Sequence, residues 1–229
     1  MLVCIDGNDV LAGFSTKDGG VSSGIYESLN LATHVGDDIK NVFENREILK
    51  QKIGAKKLIF MDQIHSDIVC EISSIDDEIS PCDAIITKLK NVALCTITAD
   101  CSPVLVYDKF TKKIAAIHAG RAGVVSHIVS KTIKKMGSES LNLKVIIGAN
   151  ISGNCYDIGD LDLGEFNKFK NKTKFDMNAA LKYELDSLDV RDYEFSGICT
   201  HCDERFFSYR KDGVTGRFCG FIMLKDGLS

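Results

Sequence analysis

The sequence predicts an α+β fold, a single domain of mixed β-sheets flanked by helices. Two observations carry that expectation. Short apolar runs bounded by turn residues follow one another as often as they alternate with helical stripes, which favours mixed sheets over a doubly wound parallel sheet. Only two prolines, Pro81 and Pro103, occur in 229 residues, and no linker, low-complexity tract or solenoid repeat divides the chain. The domain is therefore expected to run over 1–229.

In chain order, Gly13 to Gly24 packs four glycines and several hydroxyls into a loop. Such a loop is more often a connection than an anion cradle. From Asp38 to Ile53, Ile39, Val42, Phe43, Leu49 and Ile53 follow helical spacing, with Asp37 or Asp38 as cap and Gly54 as stop. Leu58–Phe60, Ile68–Ile72 and Ala84–Thr87 read as strands. The stretch Ala93 to Gly123 organises the rest: Ala93–Thr98, Val104–Tyr107 and Ile114–Ile117 read as buried strands, and Cys101 and His118 stand at their ends. Val124 to Met136 carries a stripe of Val125, Ile128, Val129, Ile133 and Met136, stopped by Gly137. Further on, Lys144–Ile147, Phe195–Cys199 and Phe218–Leu224 read as strands, and Asp162–Lys170 and Asp176–Leu188 as helices.

Composition narrows the function classes. Apolar residues make up 45% and charged residues 26% of the chain, enough for a full core. A net charge of -4 and a pI near 5.8 lack the basic footprint of a nucleic-acid binder. No apolar run approaches the ~20 residues that span a bilayer, and the acidic N-terminal stretch does not read as a signal peptide. A soluble, cytoplasmic protein without membrane or nucleic-acid partners is expected. Nine cysteines, odd in number and unevenly spaced, argue against a disulfide framework. Cys70, Cys95 and Cys219 lie in apolar patterns and read as buried thiols. Cys101, Cys155, Cys199 and Cys202 have a polar context.

Zinc takes thiolate and imidazole ligands, and a catalytic site offers three of them with a fourth position open. His65, which follows the apolar run Leu58–Met61, joins Cys101 and His118 as such a set. The residues alone leave two other readings. Cys101 can be a nucleophile with His118 or His65 as base, although the adjacent Asp100 opposes a thiolate. Cys199-Thr200-His201-Cys202 is half of a metal knuckle, with no second pair following it.

A wider set of motifs is similar to one family. Gly13-Phe14-Ser15-Thr16, Gly19-Gly20-Val21-Ser22, Ser28-Leu29-Asn30-Leu31, His34-Val35-Gly36-Asp37-Asp38, Asn45-Arg46, Gln63-Ile64-His65, Thr98-Ala99-Asp100-Cys101-Ser102-Pro103-Val104, His118-Ala119-Gly120, Ile147-Gly148-Ala149, Cys155-Tyr156-Asp157 and Cys199-Thr200 fall in family order. Arg205 through Arg217 closes the pattern. The chain resembles the YfiH-type laccase-domain family, labelled multicopper polyphenol oxidase and also purine nucleoside phosphorylase.

The resemblance implies a CNF/YfiH-like fold related to cysteine hydrolases, with zinc held by His65, Cys101 and His118. It implies phosphorolysis of adenosine, inosine and methylthioadenosine, together with hydrolytic deamination of adenosine, so that the partners are purine nucleosides and phosphate. The alternatives are an amidase, cysteine- or metal-dependent, that edits peptidoglycan precursors, and a non-catalytic binding module stapled by zinc. Lys17, Arg121 and Arg210 are cationic candidates for substrate binding, and Asn30 either holds a ribose hydroxyl or braces a loop. Asp83 and Asp100 are the nearest carboxylates for proton transfer, each with a more ordinary reading as a turn or capping residue.

Two departures from the family pattern stand out. His118-Ala119-Gly120-Arg121-Ala122-Gly123 replaces His-Ala-Gly-Trp-Arg-Gly, and Lys17 replaces an arginine, keeping the charge without the bidentate fork. The oxidase label fails on counting. A blue-copper centre with a trinuclear cluster needs about ten imidazoles, and this chain has five histidines. Copper enters the expectation only as an adventitious substitute for zinc.

Overall fold

The computed structural model describes residues 1–226; the last three positions of the expected domain span 1–229 lie outside the described residues. Two mixed sheets form its centre. In spatial order the first holds β1 (Leu2–Asp6), β2 (Val10–Phe14), β13 (Phe218–Leu224), β6 (Val92–Thr98) and β3 (Lys57–Phe60), with labels following the chain. The second holds β12 (Asp192–Phe195), β9 (Leu143–Ile147), β7 (Ser102–Asp108), β8 (Ile114–Ala119), β5 (Ala84–Thr87) and β4 (Val69–Ile72). The pairs β3–β6, β4–β5 and β12–β9 are parallel and the other pairs in these sheets antiparallel. This is the mixed arrangement that the succession of apolar runs predicts. A short ribbon, β10 (Lys170–Asn171) with β11 (Lys174–Phe175), lies outside both sheets.

Side-chain alternation along each strand builds four layers. On β6, Val92 and Leu94 meet Leu105, Tyr107, Ile114 and Ala116 of the second sheet in one core. Ala93, Cys95 and Ile97 point the other way, onto Leu49 and Ile53 of α1 (Ile39–Ile53). On β8, Ala115, Ile117 and Ala119 pack under α3 (Ile128–Met136) and α4 (Met177–Ser187). Burial on both faces explains why β6, β7 and β8 read as continuous apolar runs rather than alternating ones. The same alternation puts His118 on the side of Ile114 and Ala116, between the sheets.

Most expected boundaries hold. Asp38 caps α1 by accepting from the Lys40 N–H, and Gly54 ends it in the left-handed conformation at φ 67°. Three expectations are corrected. The stripe from Val124 to Met136 is two helices, α2 (Arg121–Val125) and α3, because His127 adopts φ 59° between them; apolar periodicity passes over one left-handed residue. Residues 162–170 hold a 3-10 turn, Gly164–Phe169, instead of an α-helix. Asp162 Oδ1 accepts from Gly164 N and Asn167 Nδ2 and so competes with helical pairing. The strand expected at Phe195–Cys199 lies earlier, at β12, since Gly197 turns the chain at φ 68°. The β1–β2 hairpin and α5 (Tyr209–Asp212) complete the molecule. Among the described residues no helix is long and apolar enough to cross a membrane.

The two sheets meet tightly at one glycine. A Cβ on Gly148 would lie 2.3 Å from the ring of fully buried Phe14. Gly148→Ala is therefore expected to cost about 1–3 kcal/mol of stability through overpacking, read as a lower urea midpoint. Phe14→Leu in the same chain should recover part of the loss. An unchanged midpoint in the single variant would show that the sheets separate freely here.

Candidate metal centre

Three connections carry the site. The first follows β3, whose pairing with β6 ends at Phe60 opposite Cys95. Gln63 continues the ladder with its side chain: Nε2 donates to Ile97 O at 2.8 Å and Oε1 accepts from Ile97 N at 2.8 Å. The loop so pinned delivers His65 at φ 58°, a conformation costly for a residue with a Cβ and held only by surrounding structure.

That structure is the carboxylate of Asp83, which stands just before β5 and is 0% exposed. Its Oδ1 accepts from His65 N at 3.0 Å and faces His118 Nδ1 at 2.8 Å. Oδ2 accepts from Ser66 N at 2.6 Å, Ser66 Oγ at 2.7 Å and Ile64 N at 3.3 Å. Burial works against the charge, but the His118 and Ser66 bonds outweigh it and hold the Asp83 carboxyl down at about 2. An anionic Asp83 makes His118 Nδ1 a donor and leaves Nε2 as the ligand nitrogen.

The second connection is the turn Ala99-Asp100-Cys101, which takes the chain from β6 in one sheet to β7 in the other. Asp100 sits at φ 100°. Its carboxylate accepts from Thr200 Oγ1, Ser208 Oγ and Arg210 N, each at 2.7 Å. Asp83 thus positions His65 and His118, and Asp100 ties the turn to Thr200, Ser208 and Arg210.

The third connection runs from β8 into α2 through Gly120. A Cβ there would lie 3.0 Å from Cys101 Sγ, 3.2 Å from His65 Cδ2 and 3.6 Å from His118 Cε1. Glycine leaves that space free beside all three side chains. The ligand atoms of His65, Cys101 and His118 lie within 4.8 Å of one another, and the two rings stand 4.8 Å apart at 85°. Two nitrogens and a sulfur so placed, with a glycine floor and an open side, fit a divalent metal of zinc's preferences. Burial opposes the Cys101 thiolate, yet the His118 charge and bonds from His118 and His65 bring the thiol down to about 6. His118, penalised by burial, is carried up to about 9 by Cys101 and Asp83. A metal-free pair is thus thiolate and imidazolium at neutral pH.

The cluster opens into a cleft of about 490 Å³. Arg121 and Arg210 line it, and so does Arg217, which ends the last family block and was not singled out in the sequence. Among the described residues the arginine–carboxylate pairs lie elsewhere, at Arg191–Asp189 and Arg205–Asp203. Arg210 donates to Asp157 O at 2.5 Å and lies 5.1 Å from the Tyr156 ring centre. Arg217 donates to Thr215 O and Gly216 O and lies 5.8 Å from the Tyr209 ring centre. Tyr156, Tyr209 and His34 line the cleft too; each stands in a family block, but the sequence assigned it no role.

Lys17 and Asn30 do not line this cleft. Lys17 borders a separate cavity with Asp18, Glu27 and Asp212. Asn30 is 0% exposed, and its amide donates to Ala32 O and Asp37 while accepting from Ala32 N and Arg217 N. It braces the loop, and it fixes the backbone of Arg217.

Asp83→Asn removes the anion that orients His118. Zinc affinity, measured by competition with a chromophoric chelator, should fall about 10–100-fold. Unchanged affinity would show that the ring needs no carboxylate behind it.

Residues 11–225 match the family described as multi-copper polyphenol oxidoreductase laccase. A purine nucleoside phosphorylase of Corynebacterium glutamicum is 37% identical over 92% of this chain and 93% of its own length. The Bacillus subtilis purine nucleoside phosphorylase YlmD is 32% identical over 95% and 90%. Among solved structures, a Neisseria meningitidis protein superposes with a TM-score of 0.88 at 32% identity, covering 98% of this chain and 99% of that one. Bacillus licheniformis YfiH superposes with a TM-score of 0.86 at 27% identity, over 97% and 99%. The chain therefore belongs to the multi-copper polyphenol oxidoreductase laccase family, and its fold is that of the YfiH-like proteins within it.

Proposed function

We propose that this protein is a zinc-dependent purine nucleoside phosphorylase that also deaminates adenosine. One observation carries the reading: a His65–Cys101–His118 cluster opens onto a cleft of about 490 Å³ lined by three guanidiniums and two tyrosines. That volume suits a nucleoside, and the relatives named above as purine nucleoside phosphorylases match over nearly the whole chain.

Phosphorolysis joins a phosphate oxygen to the anomeric carbon as the bond from that carbon to the purine nitrogen breaks. The bonding pair leaves with the purine, which takes up a proton. Arg121, Arg210 and Arg217 can hold the phosphate dianion in a partly desolvated cleft, where charge-assisted bonds are strong. Tyr156 and Tyr209 offer flat faces to the base. Asp83 binds no substrate, since its oxygens are taken by Ile64, His65, Ser66 and His118. When bound, zinc would act as a Lewis acid on an oxygen ligand. In this chain His65, Cys101 and His118 would hold it, while Asp83 fixes the His118 ring and the His65 backbone.

A second reading rests on the lowered Cys101 thiol beside His118 and Asp83: a metal-free cysteine hydrolase acting on an amide such as a peptidoglycan precursor. Zinc dependence separates the two. Incubated with adenosine and phosphate, zinc-loaded protein should yield adenine and ribose 1-phosphate, with inosine from the deamination. Without phosphate, adenine should disappear. Chelator-stripped protein should stay folded by circular dichroism, lose activity and regain it with zinc; unfolding would instead identify a structural staple. Arg217→Ala should raise the phosphate KM about 10–100-fold, as expected for one lost charge-assisted bond. Zinc-loaded protein that leaves adenosine untouched in both buffers would overturn the nucleoside reading.

A further inference from the structure

Cys155, Cys199 and Cys202 stand apart from the centre described above. Cys155 closes a turn by donating from its N–H to Ser152 O at 2.9 Å. Cys199 and Cys202 bound another, in which Cys202 N and Asp203 N both donate to Cys199 O. The two turns are locked together because Asn150 N donates to Ile198 O and Thr200 N to Asn150 O. Their three sulfurs lie within 4.8 Å of one another, and Cys155 Sγ is 3.5 Å from Cys202 Sγ. Sulfurs held by one tetrahedral zinc at ~2.3 Å stand about 3.8 Å apart. A disulfide needs about 2.05 Å, so these are free thiols in hydrogen-bond contact, close enough together to share one cation.

We propose that these three thiols form a second metal site, a trithiolate that takes zinc and fastens one wall of the cleft. The surroundings support the charge this requires. Ser152 N donates to Cys199 Sγ at 3.3 Å. A cation beside the three sulfurs is what lets them all ionise together. Cys202 is exposed, which leaves the fourth vertex to solvent.

Fastening matters to the main cleft because both turns border it. Tyr156, next to Cys155, lines the cleft. Thr200, between Cys199 and Cys202, donates to Asp100 beside the ligand Cys101. The site is a positioning device and needs no part in the chemistry.

Zinc counting on the full chain tests this. Wild-type protein, reduced and reconstituted with zinc, should hold about two zinc ions per chain, and Cys202→Ser about one. Cys101→Ser, which removes the first centre, should keep about one, and Cys101→Ser with Cys202→Ser none. Alkylation followed by peptide mass analysis gives a readout independent of variant folding. Cys155, Cys199 and Cys202 should label at least tenfold more slowly with zinc, while exposed Cys4 labels equally in both states. No zinc on Cys101→Ser, equal labelling of the three thiols with and without zinc, or a Cys155–Cys202 disulfide in protein made without reductant would each overturn the proposal. The count on Cys101→Ser stands whether or not the nucleoside reading survives.

Discussion

A single buried carboxylate determines whether this molecule has a site at all. Asp83 carries its charge between two sheets, where an unpaired anion would cost several kcal/mol. It is tolerated because donors from Ile64, His65, Ser66 and His118 converge on it. Those donors belong to a loop after β3 and to β8 of the opposite sheet. The group that neutralises a desolvation penalty therefore also ties the His65 loop to the His118 strand. Stability and ligand geometry depend on the same bonds.

Around that anchor the cleft separates its charges by kind. Carboxylates are buried and consumed by hydrogen bonds, as at Asp83 and Asp100. The guanidiniums of Arg121, Arg210 and Arg217 border open space, and those of Arg210 and Arg217 spend part of their bonding on backbone carbonyls. Such a surface attracts anions and offers them donors already held in place. The family's aromatic-arginine pair after His-Ala-Gly is Arg121-Ala122 here, and both residues still border the cleft.

Much of this was legible before any coordinates. Strands buried on both faces announce themselves as unbroken apolar runs, and β6, β7 and β8 did so. The stop at Gly54 was equally visible, because a left-handed residue after a periodic stripe has one cheap occupant. The candidate cluster of His65, Cys101 and His118 could be drawn from residue type and from their places at the ends of apolar runs, and the family motifs strengthened it. No local spacing links the three, because the fold brings them together. The place of Arg217 at the cleft was not legible, and for Asn30 the sequence left two readings open. An asparagine in a loop looks the same whether its amide meets a ligand or, as here, the backbone of a residue 187 positions away. The second cysteine cluster was half legible: Cys199 and Cys202 read as half of a metal knuckle, but Cys155 joins them only through the pairing of 150 with 199.

The place of β13 has a consequence for the order of folding. This strand lies between β2 and β6, at the middle of the first sheet. Both partners come from segments far earlier in the chain, so the sheet closes only after long stretches between them have been ordered. Until β13 docks, β2 and β6 face each other across a gap with unpaired backbone groups, and Arg217, which leads into the strand, has no seat beside the cleft.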